Sequence, residues 1–296
     1  MDGLTARLNG LCDAQPFETG WYLKDLATGS TAHRGGDVVV PSASTRKIAI
    51  LMTALRAVEA GRLSLTQPVL IQAKHQTSNS GCFQFFLPDF TLPLRDVLVM
   101  MIIVSDNACT GTVVEMLGLD AINEFSRSVG MTGTAHRQPV PPNVDLGVEA
   151  NRDIPPDLNR LNVTTPADAG RLLELIWLGT HDAAAAARLG CSQALCRLAL
   201  DILGWQRLQQ RLPSLLPVGT KVAHKTGTAA RNFNDAGIVF EHDRPLFILT
   251  VYTGRVPWTL PDGTPGKAGA SHHIGRLCRA CWDVLSTEEG PAYTGS

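Results

Sequence analysis

The run Ile48-Ala49-Ile50-Leu51-Met52 continues through Thr53-Ala54-Leu55 with scarcely a polar residue. A helix from about Thr45 to Ala60, stopped by Gly61, is therefore apolar on almost every side. Such a helix has to be enclosed by other elements, so the chain must fold around it. The segment that feeds it, Pro41-Ser42-Ala43-Ser44-Thr45-Arg46-Lys47, is polar and turn-prone. Ser44 and Lys47 stand three residues apart at the helix head, and one turn brings hydroxyl and amine onto the same face. Two readings compete. Ser44 either caps the helix while Lys47 points to solvent, or it is a nucleophile beside an amine base.

A chain of 296 residues, 44% hydrophobic and 18% charged, has room for a sizeable core in one large domain or two modest ones. A formal net charge of −1 gives no sign of a nucleic-acid or anionic-membrane partner. The longest apolar run, Val97 to Val104, is too short to span a bilayer. Met1 to Arg7 lacks the basic-then-apolar pattern of a signal peptide. Seven cysteines, an odd number without framework spacing, point to a reducing compartment. The expected location is cytoplasmic, or periplasmic or secreted if a signal peptide has been removed.

Taken in order, Leu4 to Ala14 reads as an amphipathic helix. Gly20 to Leu26 reads as a strand turning at Ala27-Thr28-Gly29-Ser30, with Asp37 to Val40 as its return. A polar loop covers Gln76 to Cys82. Helical patterns follow over Leu94–Val104, Ala108–Leu117 and Leu119–Val129, and Ser105-Asp106-Asn107 interrupts the first two. Pro139 to Pro156 is a long loop. Thr164-Thr165-Pro166 starts a further helical stretch that runs with breaks to about Arg211. Thr220–Lys225, Gly237–Glu241 and Leu246–Thr253 read as strands, Ser271–Leu285 as a closing helix, and Thr287–Ser296 as a frayed tail. The pattern predicts an α/β (α+β) fold, with an antiparallel sheet built from N- and C-terminal segments, flanked by helices, and a helical subdomain inserted. It predicts one domain over 1–296, with the α/β part at about 1–61 and 212–296 and the helical part at about 62–211.

Three strings decide between the two readings of Ser44: Ser44-Thr45-Arg46-Lys47, Ser105-Asp106-Asn107 and Lys225-Thr226-Gly227. At this composition chance yields S-x-x-K about 0.3 times, S-D-N about 0.03 times and K-T-G about 0.04 times, so their joint presence is not accidental. Together they resemble the signatures of the active-site serine family of class A β-lactamases and penicillin-binding proteins. The order matches, and each string falls where that family carries it, at a helix head, an interhelical turn and a strand. The resemblance implies a β-lactamase/transpeptidase-like fold and amide hydrolysis, most directly of a β-lactam, through an acyl-enzyme on Ser44. It makes Lys47 the base, Ser105 the proton relay to the leaving nitrogen, and Asn107 the holder of the substrate amide. Backbone N–H groups of Ser44 and Thr228 would form the oxyanion hole. Lys225 would supply a cation that helps hold Lys47 partly neutral and draws in an anionic substrate. Thr226 and Thr228 hydroxyls would bind a substrate carboxylate, and Arg231 either assists them or is a turn arginine. Asp106 is expected to bond backbone around its turn. The family's water-activating glutamate has two alignments here: counting back from Thr164-Thr165-Pro166 selects Glu149, with Asp153 nearby, whereas aligning on Pro156-Asp157-Leu158-Asn159 puts Pro155 in its place.

The remaining signals read as structural. Cys278-x-x-Cys281, Cys191 and Cys196 suit packing, and Cys82 suits burial or the pocket lining. No histidine spacing suggests a metal, and no cofactor is implied. His224, next to Lys225 on a strand, points to the opposite face. The alternatives to a β-lactam hydrolase are a cytoplasmic amidase, peptidase or esterase acting on another small substrate, and a sensor that is acylated once and not turned over. The partner expected is a small amide or β-lactam substrate bearing a carboxylate, with neither nucleic acid nor a membrane segment.

Overall fold

A computed structural model describes residues 1–77, 80–140 and 157–287. Helix α1 (Asp2–Asp13) leads into strand β1 (Glu18–Asp25), where every second residue is buried. β2 (Thr31–Arg34) returns antiparallel, pairing Trp21 with Arg34 and Lys24 with Thr31. The hairpin therefore closes sooner than its apolar residues suggest. Asp37 to Val39 stays outside the sheet, and Val40 and Pro41 form a two-residue strand, β3. β2 is an edge strand with no buried residue, so it carries no apolar signal. A 3-10 turn, Ala43–Arg46, then feeds α2 (Lys47–Glu59), in which every residue from Lys47 to Leu55 is buried.

A small hairpin of β4 (Pro68–Ile71) and β5 (Phe90–Pro93) precedes α3 (Leu94–Ile103), α4 (Asn107–Leu117) and α5 (Leu119–Ser128). β6 (Val163–Thr164) pairs with β3. Helix α6 (Pro166–Gly179) has Pro166 in its first turn, and the Thr165 hydroxyl caps it by accepting from Asp168 N. α7 (Ala183–Leu189), α8 (Gln193–Gly204) and a 3-10 turn, Leu212–Leu215, complete the helical middle of the chain. Three long strands follow, β7 (Val222–Ala229), β8 (Asn232–Glu241) and β9 (Arg244–Gly254), and α9 (Gly266–Leu285) closes the chain.

The main sheet is antiparallel and ordered β2-β1-β9-β8-β7, so both ends of the chain build it. Its β8 and β9 are buried almost throughout because helices cover both faces. On one face Trp21, Leu23, Leu249 and Val251 pack against Leu4 and Leu8 of α1 and Ile274, Leu277 and Trp282 of α9. On the other, Ala223, Ile238, Ile248 and Tyr252 join the larger core around α2. Cys278 and Cys281 are buried in the α9 layer, and all seven cysteines are free. Among the described residues no helix is long and apolar enough to cross a membrane.

Candidate active site

The central strand and the K-T-G strand both meet the turn that carries Ser44. Tyr252 donates its hydroxyl to Thr45 Oγ1 at 3.0 Å, and Asn234 Nδ2 donates to Pro41 O at 3.0 Å. Thr45 in turn donates N–H and hydroxyl to Ser42 O, at 3.1 and 2.7 Å. β7 approaches the same turn so closely that a Cβ on Gly227 would lie 3.0 Å from Ser42 O and 3.2 Å from Ala43 Cβ. Glycine at this position lets the strand lie against the turn that carries Ser44. Ala43 holds φ +45° beside the half-buried Ser44, a left-handed conformation that costs about 1–3 kcal/mol for a side-chain-bearing residue.

Lys47, only 1% exposed, opens α2 and joins two of the three motifs directly. Its Nζ donates to Ser105 O and to Asn107 Oδ1, both at 2.8 Å, and lies 3.1 Å from Ser105 Oγ. Burial pushes the amine well below the ordinary lysine value, and the neighbouring charges of Lys225 and Arg46 push it further, with Asp106 and Cys109 opposing. Lys225 is itself fully buried, donating to Thr226 O at 2.8 Å. Burial lowers it to about 7, with Asp235 opposing and Arg211 reinforcing.

The depressed Lys225 predicts a slope in stability. An unfolded lysine keeps its proton up to about pH 10, whereas the folded Lys225 releases it near 7, so between these values the unfolded state binds more protons and stability rises with pH. Lys225→Met is expected to remove up to about 1.4 kcal/mol per pH unit of that slope. Urea unfolding of both proteins at pH 7, 8 and 9 measures it. Equal slopes would show that Lys225 is not the titrating group.

The Ser105 turn is built from outside the helices that flank it. Ser105 takes φ +59°, and the Asp106 carboxylate accepts from the backbone N–H of Cys82 and Phe83 at 2.9 Å each and from Cys109 at 3.1 Å. Asp106 is thus the N-cap of α4 and the anchor of the 80–83 loop. Ser80 completes the link, donating Oγ to Ser105 O at 2.9 Å and accepting Asn107 N at 3.0 Å. Cys82 is half-buried in this loop, where burial raises its thiol.

Arg231 sits in the β7–β8 turn, its guanidinium donating to the carbonyls of Val256 and Arg255 at 3.0 and 3.3 Å. A different arginine reaches Thr228. Arg211, 5% exposed, donates to Gly227 O at 2.7 Å, Asn234 O at 2.5 Å and Thr228 Oγ1 at 2.6 Å. Sequence reasoning misses it, because it precedes a 3-10 turn with no motif around it and meets β7 only through the tertiary fold. Arg46, between Ser44 and Lys47, is a second buried arginine not singled out from sequence. It holds Gln138 O at 2.6 Å and also Pro139 O. Glu149, Asp153 and Pro155, the positions on which the glutamate assignment depends, lie outside the described residues. Among the described residues no group of three or more His, Cys, Asp or Glu side chains is arranged to hold a metal.

Comparison with known proteins gives the family and the fold. The extended-spectrum beta-lactamase PER-1 of Pseudomonas aeruginosa is 28% identical over 219 residues, covering 70% of this chain and 66%, just under two thirds, of that one. The crystal structure of a beta-lactamase from Sphaerobacter thermophilus superposes with a TM-score of 0.80 at 24% identity, over 98% of this chain and 99% of that one. A mutant of PBP-A, in an acyl-enzyme complex with penicillin G, superposes with a TM-score of 0.78 at 26% identity over 96% of each chain. The sequence model of the beta-lactamase enzyme family matches residues 3–285. The chain belongs to the beta-lactamase enzyme family.

Proposed function

We propose that this chain is a serine hydrolase that opens β-lactams through an acyl-enzyme on Ser44. The observation that carries the reading is the buried Lys47 amine, pushed toward its neutral form and bonded to both Ser105 and Asn107. A neutral amine next to Ser44 takes the hydroxyl proton as Oγ attacks the substrate carbonyl carbon. The negative charge that develops on the carbonyl oxygen is met by the backbone N–H groups of Ser44 and Thr228. β7 is the edge strand of the sheet, so one side of its backbone is not taken up by another strand and is free to meet the substrate oxygen. The C–N bond then breaks, and the leaving nitrogen takes a proton from Ser105 Oγ, which Lys47, 3.1 Å away, replaces.

Asn107 orients the substrate amide. Thr226, Thr228 and Lys225 receive its carboxylate, and Arg211, already bonded to Thr228 Oγ1, supplies a fixed positive charge there, in place of the assistance that is one of the two readings of Arg231. Water then cleaves the acyl-enzyme, with Glu149 as its base. The seven free thiols suit a reducing compartment, and we place the protein in the cytoplasm on that ground.

A second reading, acylation without turnover, is favoured by the PBP-A mutant held as an acyl-enzyme with penicillin G. A time course separates the two. With a chromogenic β-lactam, the wild-type protein is expected to give a burst of about one product per chain and then a steady phase. Intact mass should show an adduct that forms and disappears. A burst with no steady phase and a permanent adduct would establish the second reading instead.

A further inference from the structure

The two faces of β7 serve different parts of the site. Lys225 and Gly227 face α2 and the nucleophile turn. Thr226 and Thr228 alternate with them on the α9 side. His224 shares that second face, opposite Gly237, and Thr226 stands opposite Asp235. His224 and Asp235 have fully buried side chains, with Nδ1 2.9 and 3.0 Å from the two carboxylate oxygens. A carboxylate only accepts, so Nδ1 carries the hydrogen. Packing fixes the ring as well. A Cβ on Gly237 would stand 2.5 Å from His224 Cβ.

The chemistry above uses neither residue, yet a fully buried carboxylate is costly unless every oxygen is bonded. Besides His224, Asp235 accepts Ala236 N at 3.0 Å and Leu212 N at 3.1 Å. Leu212 directly follows Arg211, the arginine that grips Gly227 O, Asn234 O and Thr228 Oγ1. The chain of bonds runs from His224 to Asp235, to the Leu212 amide, to Arg211 and to Thr228 at the end of β7.

We propose that Asp235, oriented by His224, is a positioning residue for substrate-carboxylate binding: it fixes the backbone that aims Arg211 at Thr228. This rests on the acyl-transfer reading and on Arg211 as the carboxylate partner. Without Asp235 the Leu212 amide loses its acceptor and Arg211 loses its aim. The nucleophile turn, on the other face of β7, keeps its own bonds.

The test compares phenylboronic acid with 3-carboxyphenylboronic acid as competitors of fluorophosphonate labelling at Ser44. The wild-type protein is expected to prefer the carboxylated compound by about tenfold or more, the scale of a charge-assisted hydrogen bond. Asp235→Asn should cut that preference at least about fivefold, with phenylboronic acid affinity and labelling rate within about twofold of wild type. His224→Leu should lose the preference too. His224→Asn, whose amide N–H can replace Nδ1–H, should recover most of it. An intact preference in Asp235→Asn, or in His224→Leu should Asp235→Asn not fold, overturns the proposal. So does a loss in which both boronates and the labelling rate fall together. A wild-type protein that is not labelled at Ser44 overturns the acyl-transfer reading itself, and one labelled without any carboxylate preference overturns the role of Arg211.

Discussion

Lys47→Met is expected to acylate about 10³-fold more slowly than wild type while remaining folded, within the range that general-base removal costs. Methionine matches the length of the lysine stem and carries no charge into a position that is 1% exposed. Its cost falls on Ser105 O, Ser105 Oγ, Asp106 O and Asn107 Oδ1, which each lose a donor. The pH profile distinguishes base from scaffold. On the proposed mechanism the reactive form in wild type is the neutral amine, so acylation should rise with pH as Lys47 loses its proton and then level off. Burial and Lys225 shift that rise to well below the ordinary lysine value of 10.5. In Lys47→Met this limb should vanish. Ser44→Ala is the control for the readout and should carry no adduct at any pH. Stopped-flow acylation with a chromogenic β-lactam, read beside intact mass, gives both. Lys47→Met acylating at the wild-type rate would remove the amine from the mechanism.

The motifs were legible because each is local. Ser44 and Lys47 need only one turn of helix to be neighbours, Asp106 needs only the start of α4 to find Cys109 N, and Lys225 needs only the alternation of a strand. The all-apolar α2 was equally plain, since burial on every side is a property of the segment itself. Fold class followed from the order of elements, with strands at both ends of the chain and helices between.

What stayed hidden was set by tertiary pairing. Val38 and Val39 looked like a strand, yet they are 58% and 37% exposed, and the sheet takes Thr31–Arg34 instead. An edge strand needs only backbone partners, and Thr-Ala-His-Arg supplies those without an apolar pattern. Arg211 was invisible for a related reason. It lies 14 residues before Lys225 (225 − 211) and reaches Thr228 only because the Leu212–Leu215 turn packs beside β7 and β8. His224 was rightly turned away from Lys225, but its partner Asp235 could be found only from the register of β7 on β8.

Gly81→Ala is expected to be among the most damaging changes outside the motifs, because two independent penalties coincide there. Gly81 has φ +91°, a conformation that strains any residue with a Cβ. The added carbon would also lie 2.2 Å from Asp106 Oδ2 and 2.4 Å from Asp106 Cα. The second contact is with backbone, so no rotamer change relieves it. Either the 80–83 loop lifts, stripping the Cys82 and Phe83 N–H groups from Asp106, or the Ser105 turn moves away from Lys47. A cost of about 3 kcal/mol or more is expected from strain combined with lost buried hydrogen bonds. Gly61→Ala separates the two penalties. Gly61 also has positive φ, at +70°, but no atom lies within 4 Å of an added Cβ, so it should lose only about 1 kcal/mol. Urea unfolding measures the stabilities, and fluorophosphonate labelling reports the site. Gly81→Ala should label Ser44 markedly more slowly even under conditions where it is fully folded, because the turn that presents Ser105 to Lys47 has been displaced. Normal labelling in a folded Gly81→Ala protein would mean that the 80–83 loop is not what holds Ser105 in place.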